Sequence, residues 1–235
     1  MLLVIGLGLV AGVITTVAGM GGGLCLLLGL SVAMDPLTAL TVTGPGLLVG
    51  NVHRLWLYRR SVNRPLALRY AVGAMPAALV GGLVAVALPD TVIRVAMVAL
   101  ASLATAKVLL GWRWKPPASA LVPGGAVVGF VSGTSGGGGL IAGPMLLATG
   151  LSGKPYVATA AVGAASVHVG RMVGYGAGGV IDSRVLILGF VAAVAISAGN
   201  LVGDRIRRFV PEPVVPKLEI GVVVLAMGLA LAGIA

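Results

Sequence analysis

Charged residues are absent from two long stretches of this chain. The first charge is Asp35, and no charge occurs between Lys115 and Lys154. Each stretch exceeds the ~20 residues that an α-helix needs to cross the hydrocarbon core of a bilayer. Charged residues make up 9% of the sequence and apolar residues 58%, whereas soluble domains carry roughly 25% charged residues. The sequence therefore predicts a polytopic membrane protein without a soluble domain.

The apolar segments are predicted to be α-helices. Backbone groups in lipid must be hydrogen-bonded within a helix or a closed barrel, and these runs are too long for barrel strands. The segment that begins Met1-Leu2-Leu3-Val4 lacks the positive start of a signal peptide, so we expect it to remain in the mature chain. The predicted spanning helices lie near 37–58, 66–88, 91–110, 156–178, 184–203 and 215–234.

Two glycine-rich runs interrupt the remaining apolar stretches, 3–34 and 120–152. Each stretch is longer than one span but shorter than two full spans with a loop. Both are therefore predicted to be re-entrant hairpins of two half-helices. The runs are Gly19-Met20-Gly21-Gly22-Gly23-Leu24 and Ser135-Gly136-Gly137-Gly138-Gly139-Leu140.

The distribution of basic residues tests the hairpin prediction, because short cytoplasmic loops collect Lys and Arg. If both glycine stretches crossed the membrane fully, the basic loops 59–69 and 204–217 would face opposite sides. With two hairpins, most of the 16 basic residues share one side, and both termini lie outside. The net charge of +10 then reflects membrane orientation and indicates no nucleic-acid partner. An aromatic belt is predicted at the basic face from Trp56, Tyr58, Trp112, Trp114 and Tyr156.

The two halves of the sequence are related. At an offset of 117, Gly12 matches Gly129 and Gly46 matches Gly163. The segment that begins at Arg54 matches the one that begins at Arg171 at the same offset. One hairpin plus three spans is an odd number of crossings, so the second half enters the membrane with opposite orientation. Transporters are commonly built from such inverted repeats. The predicted organisation is an N-terminal repeat 1–111, a cytoplasmic linker 112–119 and a C-terminal repeat 120–235.

These features resemble the TauE/SafE family, also called the sulfite exporter or TSUP family. The resemblance is carried by a glycine-spaced helix followed by a glycine run in both halves, Gly19 to Gly23 and Ser135 to Gly139, and by a basic loop before the last span. The second copy has Pro144 five residues after Gly139, whereas the first has Leu28 there. The resemblance implies export or uptake of small sulfur-containing or organic anions, such as sulfite and sulfonates, across a bacterial plasma membrane.

The glycine runs also suit anion binding on physical grounds. A half-helix that begins inside the membrane directs unpaired N–H groups and the positive end of its dipole at a ligand, and glycine permits close approach. Hydroxyl groups of Thr15, Thr16, Ser132, Thr134 and Ser135 lie nearby in the sequence. The alternative is that the glycines only allow close helix packing. The predicted substrate-binding residues of the runs are Gly21, Gly22, Gly23, Ser135, Gly136, Gly137, Gly138 and Gly139.

Two arginines inside predicted spans are further candidates for substrate binding. Charge within a span is costly and usually faces the protein interior, so Arg54 and Arg171 are predicted to attract the anion. Asn51 and His168 precede them by three residues, on the same helix face, and are included in the site. The alternatives are that Arg54 extends to the membrane surface and that His168 only hydrogen-bonds a neighbouring helix.

The sequence thus predicts a secondary transporter that exports a small anion, with a passive anion channel as the alternative. An enzyme is not expected, because the spans hold no His, Asp, Glu or Cys cluster suited to a metal or to acid–base catalysis. No cofactor is predicted. The acidic residues Asp35, Asp90 and Asp182 lie at span boundaries, so we expect the membrane potential to drive export. A face formed by Gly221, Gly228 and Gly233 suits a homodimer.

Overall fold

The computed structural model describes residues 1–18, 21–110 and 117–210, together with positions 214, 221, 224 and 228. Within these residues the chain is helical and has no strand. Positions 112–116 of the predicted linker and almost all of the last predicted span lie outside the described residues. The helices are α1 (Leu2–Ala18), α2 (Gly22–Ala33), α3 (Pro36–Tyr58), α4 (Arg64–Ala87), α5 (Asp90–Leu109), α6 (Leu121–Thr134), α7 (Gly139–Leu147), α8 (Gly153–Ala177) and α9 (Ser183–Arg207).

Five of the predicted spans correspond to α3, α4, α5, α8 and α9, and polar caps explain several of their boundaries. The Asp35 carboxylate accepts a hydrogen bond from the Thr38 amide at 2.7 Å at the start of α3. Asn63 caps α4, and Asp182 caps α9 by accepting from the Val185 amide at 2.7 Å. Such side chains bond the free amides of the first helical turn.

Two described helices, α4 and α9, are long enough and apolar enough to cross a membrane on length and composition alone. The helices α3 and α8 are 23 and 25 residues long but less apolar. Their buried polar residues include Thr43, Asn51 and Arg54 on α3 and Thr159 and Arg171 on α8. These side chains face other helices rather than the outer surface, which is why α3 and α8 are less hydrophobic.

Each glycine run joins two antiparallel helices. In the first pair, Gly22 lies against Thr15 and Gly29 against Leu7, so α2 runs back along α1. In the second pair, Gly138 lies against Ser132, and Met145 lies against Gly124. We call these pairs hairpin 1 (2–33) and hairpin 2 (121–147).

The hairpin arms differ in length. Helices α1 and α2 have 17 and 12 residues, and α6 and α7 have 14 and 9. At 1.5 Å per residue, the arms extend from about 14 Å for α7 to about 26 Å for α1. All are shorter than the ~20 residues of a full span, but α1 is longer than the predicted half-helix.

Helices α1, α3 and α9 run parallel to one another, and α4, α6 and α8 form a second parallel set. Gly8 lies against Ala195 and Gly203 against Thr16, which fixes the relative direction of α1 and α9. Similar pairs of contacts fix the directions of the other helices. Gly189 lies against Pro45 and Gly50 against Asn200 between α9 and α3. Gly73 lies against Val122 and Gly133 against Ala78 between α4 and α6, and Gly170 lies against Met75 and Gly178 against Val86 between α8 and α4.

The basic helix ends lie together at one end of the bundle. The Tyr58 hydroxyl at the end of α3 donates to Asp204 Oδ1 near the end of α9 at 2.8 Å. The Asn63 amide before α4 donates to Thr159 Oγ1 near the start of α8 at 3.0 Å. We call this the basic end. It carries Arg59, Arg60, Arg64, Lys154, Arg205, Arg207 and Arg208.

Single glycines bring the helices of each set into backbone contact. A Cβ added to Gly129 on α6 would collide with the Ala74 carbonyl on α4, and one added to Gly199 on α9 would collide with the Leu9 carbonyl on α1. Small residues at helix interfaces allow this approach in membrane proteins.

The hydrophobic core forms two clusters, and each combines helices from both halves of the sequence. One cluster joins hairpin 1, α3 and α5 with α9, and the other joins α6, α7 and α8 with α4. Helices α4 and α9 therefore pack mainly against the half of the chain to which they do not belong.

Candidate functional site

One cavity of about 140 Å³ lies between the two hairpins and the central helices α3 and α8. Helix α4 contributes Tyr70 to its wall, and α9 contributes Asn200. Ten of the twelve predicted substrate-binding residues line the cavity: Gly21, Gly23, Asn51, Arg54, Gly136, Gly137, Gly138, Gly139, His168 and Arg171.

The tip of hairpin 2 contacts hairpin 1 directly. A Cβ on Gly137 would lie 3.4 Å from Leu24 Cδ1, and one on Gly136 would overlap Leu27. Gly136 and Gly137 have φ of 72° and 74°, and Gly21 at the tip of hairpin 1 has φ of 88°. Side chains other than glycine rarely adopt this left-handed region, so the turns depend on glycine.

The remaining glycines of the runs divide between packing and the cavity. A Cβ on Gly22 would collide with Thr15 Oγ1, and one on Gly138 would collide with Ser132 Oγ, so both positions need glycine for the hairpin arms to meet. A Cβ on Gly139 meets no atom of the described residues within 4 Å. Gly138 thus both packs against the first arm and lines the cavity, whereas Gly139 only lines it.

Two predicted residues lie outside the cavity lining. Gly22 is buried in the packing of α2 against α1. Ser135 is buried and its hydroxyl donates to the Val131 carbonyl at 3.3 Å within its own hairpin.

The start of α7 presents free amide groups at the cavity. Within the described chain, the N–H groups of Gly137, Gly138 and Gly139 make no hydrogen bond, whereas the Leu140 amide donates to the Gly137 carbonyl at 3.1 Å. Free amides at a helix N-terminus are donors for an anion.

Arg54 is buried, with 6% of its surface exposed, and therefore does not extend to the membrane surface. Its Nη1 donates to the Thr15 carbonyl at 3.3 Å, and its Nη2 donates to Asn51 Oδ1. Arg207 Nη1 donates to the neighbouring Thr16 carbonyl at 3.4 Å. The last carbonyls of a helix lack intrahelical partners, so the two arginines stabilise the C-terminal end of α1.

Arg171 is 2% exposed and has fewer oxygen partners than its charge requires. Its Nη2 donates to Thr43 Oγ1 at 3.4 Å, and the Tyr175 hydroxyl lies close to the guanidinium. Its Nε and the Nδ1 of His168 are buried and have no hydrogen-bond partner in the described part of the molecule. Buried polar atoms are usually paired, so these two atoms are candidates for ligand contacts.

The predicted hydroxyls separate into two groups. Thr15 and Ser132 line the cavity at equivalent positions of the two hairpins. Thr16 donates to Asn200 Oδ1 at 2.9 Å, and Thr134 donates to the Phe130 carbonyl at 3.0 Å. Only the first group faces the cavity.

Three polar lining residues were not named as candidates from the sequence: Tyr70, Tyr156 and Asn200. Asn200 Nδ2 donates to the Gly50 carbonyl at 3.2 Å and thereby connects α9 to α3. An amide within an apolar span was the signal that could have identified it. The assignment of Tyr156 to the aromatic belt is wrong, because its ring is 7% exposed and packs among α6, α7 and α8. Trp56, by contrast, is 61% exposed.

The charged side chains that line the cavity are both positive. Among the described carboxylates, Asp35 and Asp182 cap helices, Asp90 lies at the exposed start of α5, and Asp204 accepts from Tyr58. None of these four lines the cavity. The arrangement offers two guanidinium groups and helix-terminal amides to a negatively charged ligand.

Comparison with curated proteins and with solved structures gave no match. The family model described as sulfite exporter TauE/SafE matches residues 4–231, a range that includes hairpin 2, all but the first two residues of hairpin 1 and every residue of the cavity. The chain therefore belongs to the sulfite exporter TauE/SafE family of membrane transporters.

Proposed function

We propose that this chain is a secondary transporter that exports a small oxyanion, such as sulfite or a sulfonate, through the cavity between the hairpins. The observation that carries the proposal is the pair of buried arginines, 6% and 2% exposed, in a cavity without a described carboxylate.

A bound anion compensates the buried positive charge of this site. Placing a charge in a protein interior is costly unless an opposite charge and hydrogen bonds compensate it. Among the described residues, Arg171 has only hydroxyl partners, and the amides of Gly137, Gly138 and Gly139 make no hydrogen bond. A bound oxyanion supplies both the missing charge and the missing acceptors, whereas a cation would be repelled.

The cavity suits a small substrate. Its volume of about 140 Å³ corresponds to roughly ten water-sized groups, since one water requires ~10–15 Å³ measured in this way. A sulfite ion or a short-chain sulfonate fits with its hydration partly replaced by protein donors. The small size and positive charge therefore favour the sulfur-containing anions that the family name suggests.

The membrane arrangement that we propose has inverted repeats 1–111 and 120–235, joined by a cytoplasmic linker 112–119. Each repeat contributes one re-entrant hairpin, and the substrate binds near the membrane midplane between the hairpin tips. The two opposed parallel sets of helices support this arrangement, since the contacts of α9 with α1 and α3 correspond to those of α4 with α6 and α8. The clustered basic helix ends support a cytoplasmic basic end in a bacterial inner membrane, with the termini outside.

Export of an anion requires no proton-binding carboxylate. The inside-negative potential favours exit by about 2.3 kcal/mol per charge per 100 mV. The positive cavity agrees with this mechanism, because it accepts an anion without a co-transported cation. We further propose that the chain forms a homodimer through the glycine face of its last helix.

Sulfite flux in proteoliposomes tests the proposal and separates a carrier from a channel. We expect saturable uptake of labelled sulfite that follows an imposed membrane potential, and acceleration when unlabelled sulfite is present on the opposite side. Flux without saturation or counter-transport would identify a passive anion channel. No sulfite or sulfonate flux above that of empty liposomes would refute the proposed substrate class.

A further inference from the structure

We propose that the cavity contains two separate anion sites, one at Arg171 and one at Arg54, which the substrate occupies in sequence. This inference rests on the proposed function. The site that contains Arg171, His168 and Ser132 is called site A, and the site that contains Arg54, Asn51 and Thr15 is called site B.

The two sites have equivalent components. In each, a buried arginine follows a polar side chain by three residues on one helix face, Asn51 before Arg54 and His168 before Arg171. A hydroxyl from the first arm of a hairpin faces each group, and Thr15 and Ser132 are 117 residues apart, as are the two arginines. All six residues line the same cavity.

The distance between the arginines is too large for one small oxyanion to bridge. Arg171 reaches Thr43 on α3, whereas the guanidinium of Arg54 lies beside Asn51 on the same helix. Eight residues of helix separate these contact points, which corresponds to about 12 Å along α3. Hydrogen bonds of about 3 Å on either side of a sulfite ion do not span this distance. We therefore assign a separate anion to each arginine.

The two arginines differ in how completely protein oxygens already satisfy their N–H groups. In site B, the Thr15 carbonyl and Asn51 Oδ1 accept hydrogen bonds from Nη1 and Nη2 of Arg54. In site A, only hydroxyl oxygens, those of Thr43 at 3.4 Å and of Tyr175, lie at the Arg171 guanidinium, and its Nε has no partner in the described residues. An anion at site B has to replace protein acceptors. Site A is therefore the tighter site in this conformation.

The position of site B indicates its place on the transport path. Arg54 lies one turn before Tyr58, which contacts Asp204 at the basic end, and the adjacent Thr16 carbonyl contacts Arg207. Site B is thus nearer the basic end than site A. An anion that enters from the basic end meets the weaker site first and then moves to the tighter one.

Calorimetric titration of the purified full-length protein with sulfite tests the inference. We expect two bound sulfite ions per chain with affinities at least tenfold apart. Arg171→Gln should remove the tighter binding event, and Arg54→Gln should remove the weaker one. Arg69→Gln is the matched control, because this exposed arginine on α4 lies outside the cavity and the substitution makes the same change in charge.

The outcomes separate this inference from the proposed function. A stoichiometry of one in the parent protein, with the affinity reduced by both cavity substitutions, would show a single shared site and overturn the two-site inference alone. Absence of sulfite and sulfonate binding in the parent protein would overturn both. The parent stoichiometry decides the question even if Arg54→Gln fails to fold, because it requires no variant.

Discussion

Replacing Arg171 should separate substrate binding from structural stability. Arg171→Gln removes the positive charge but retains an amide donor near the position of Nε. A hydrogen bond to a charged group is worth about 1.5–3 kcal/mol. Its loss corresponds to about 10- to 100-fold weaker apparent affinity for sulfite, since 1.4 kcal/mol is a factor of ten. Arg171→Lys keeps the charge without the planar pair of donors and should give an intermediate value.

Without sulfite, the free energy of unfolding of Arg171→Gln should equal or exceed that of the parent protein. Arg171 has hydroxyl partners and no described carboxylate partner, so the substitution removes a poorly compensated buried charge. Arg54→Gln should behave oppositely, because it leaves the Thr15 carbonyl and Asn51 Oδ1 without their donor. The expected loss is about 1–3 kcal/mol of unfolding free energy.

The assay is concentration-dependent sulfite transport in proteoliposomes, normalised to the folded protein, with unfolding in detergent measured in parallel. An apparent affinity of Arg171→Gln equal to that of the parent would refute the claim that this side chain contacts substrate. A loss of several kcal/mol in stability without sulfite would show that Arg171 is a structural residue.

Two further predictions concern the glycine run and the topology. Gly139→Leu should abolish transport while membrane insertion stays normal, because the new side chain enters open cavity space; Gly6→Leu, on the exposed face of α1, is the control, and equal transport by the two variants would place the substrate elsewhere. In a cysteine-free background, cysteines replacing Val62 and Ile206 should react only from the cytoplasm and one replacing Thr91 only from outside. Labelling of positions 62 and 206 from opposite sides would contradict the hairpin arrangement.

The helical class and the positions of most helices were predictable from the sequence. Long apolar segments separated by charged or proline-containing boundaries determine where helices begin, as at Asp35 and Asp182. The interruption of two segments by glycine runs located both turns, and the positive φ of Gly21 and Gly136 explains why glycine is needed there. The resemblance to the TauE/SafE family is confirmed by the match over residues 4–231.

The direction in which individual side chains face was less predictable. Gly138 and Gly139 are adjacent in the sequence and both line the cavity, yet only Gly138 also packs against Ser132. Tyr156 follows a basic boundary, where an aromatic ring can face either lipid or the interior, and here it faces the interior. Hydropathy carries no information on which helix lies beside which, so the pairing of α4 and α9 with the opposite halves was not predicted.

That exchange of α4 and α9 has a consequence for how the protein is made. Hairpin 1 is synthesised first, but its main helical neighbour, α9, ends at Arg207. At synthesis rates of ~5–20 residues per second, the roughly 170 further residues take about 9–35 s. Throughout this interval α1 lacks the surface against which Gly8 and Gly12 pack. The membrane insertion machinery must therefore contact the exposed face of α1 until α9 is synthesised. Truncated chains that end before α9 should be substrates for membrane proteases.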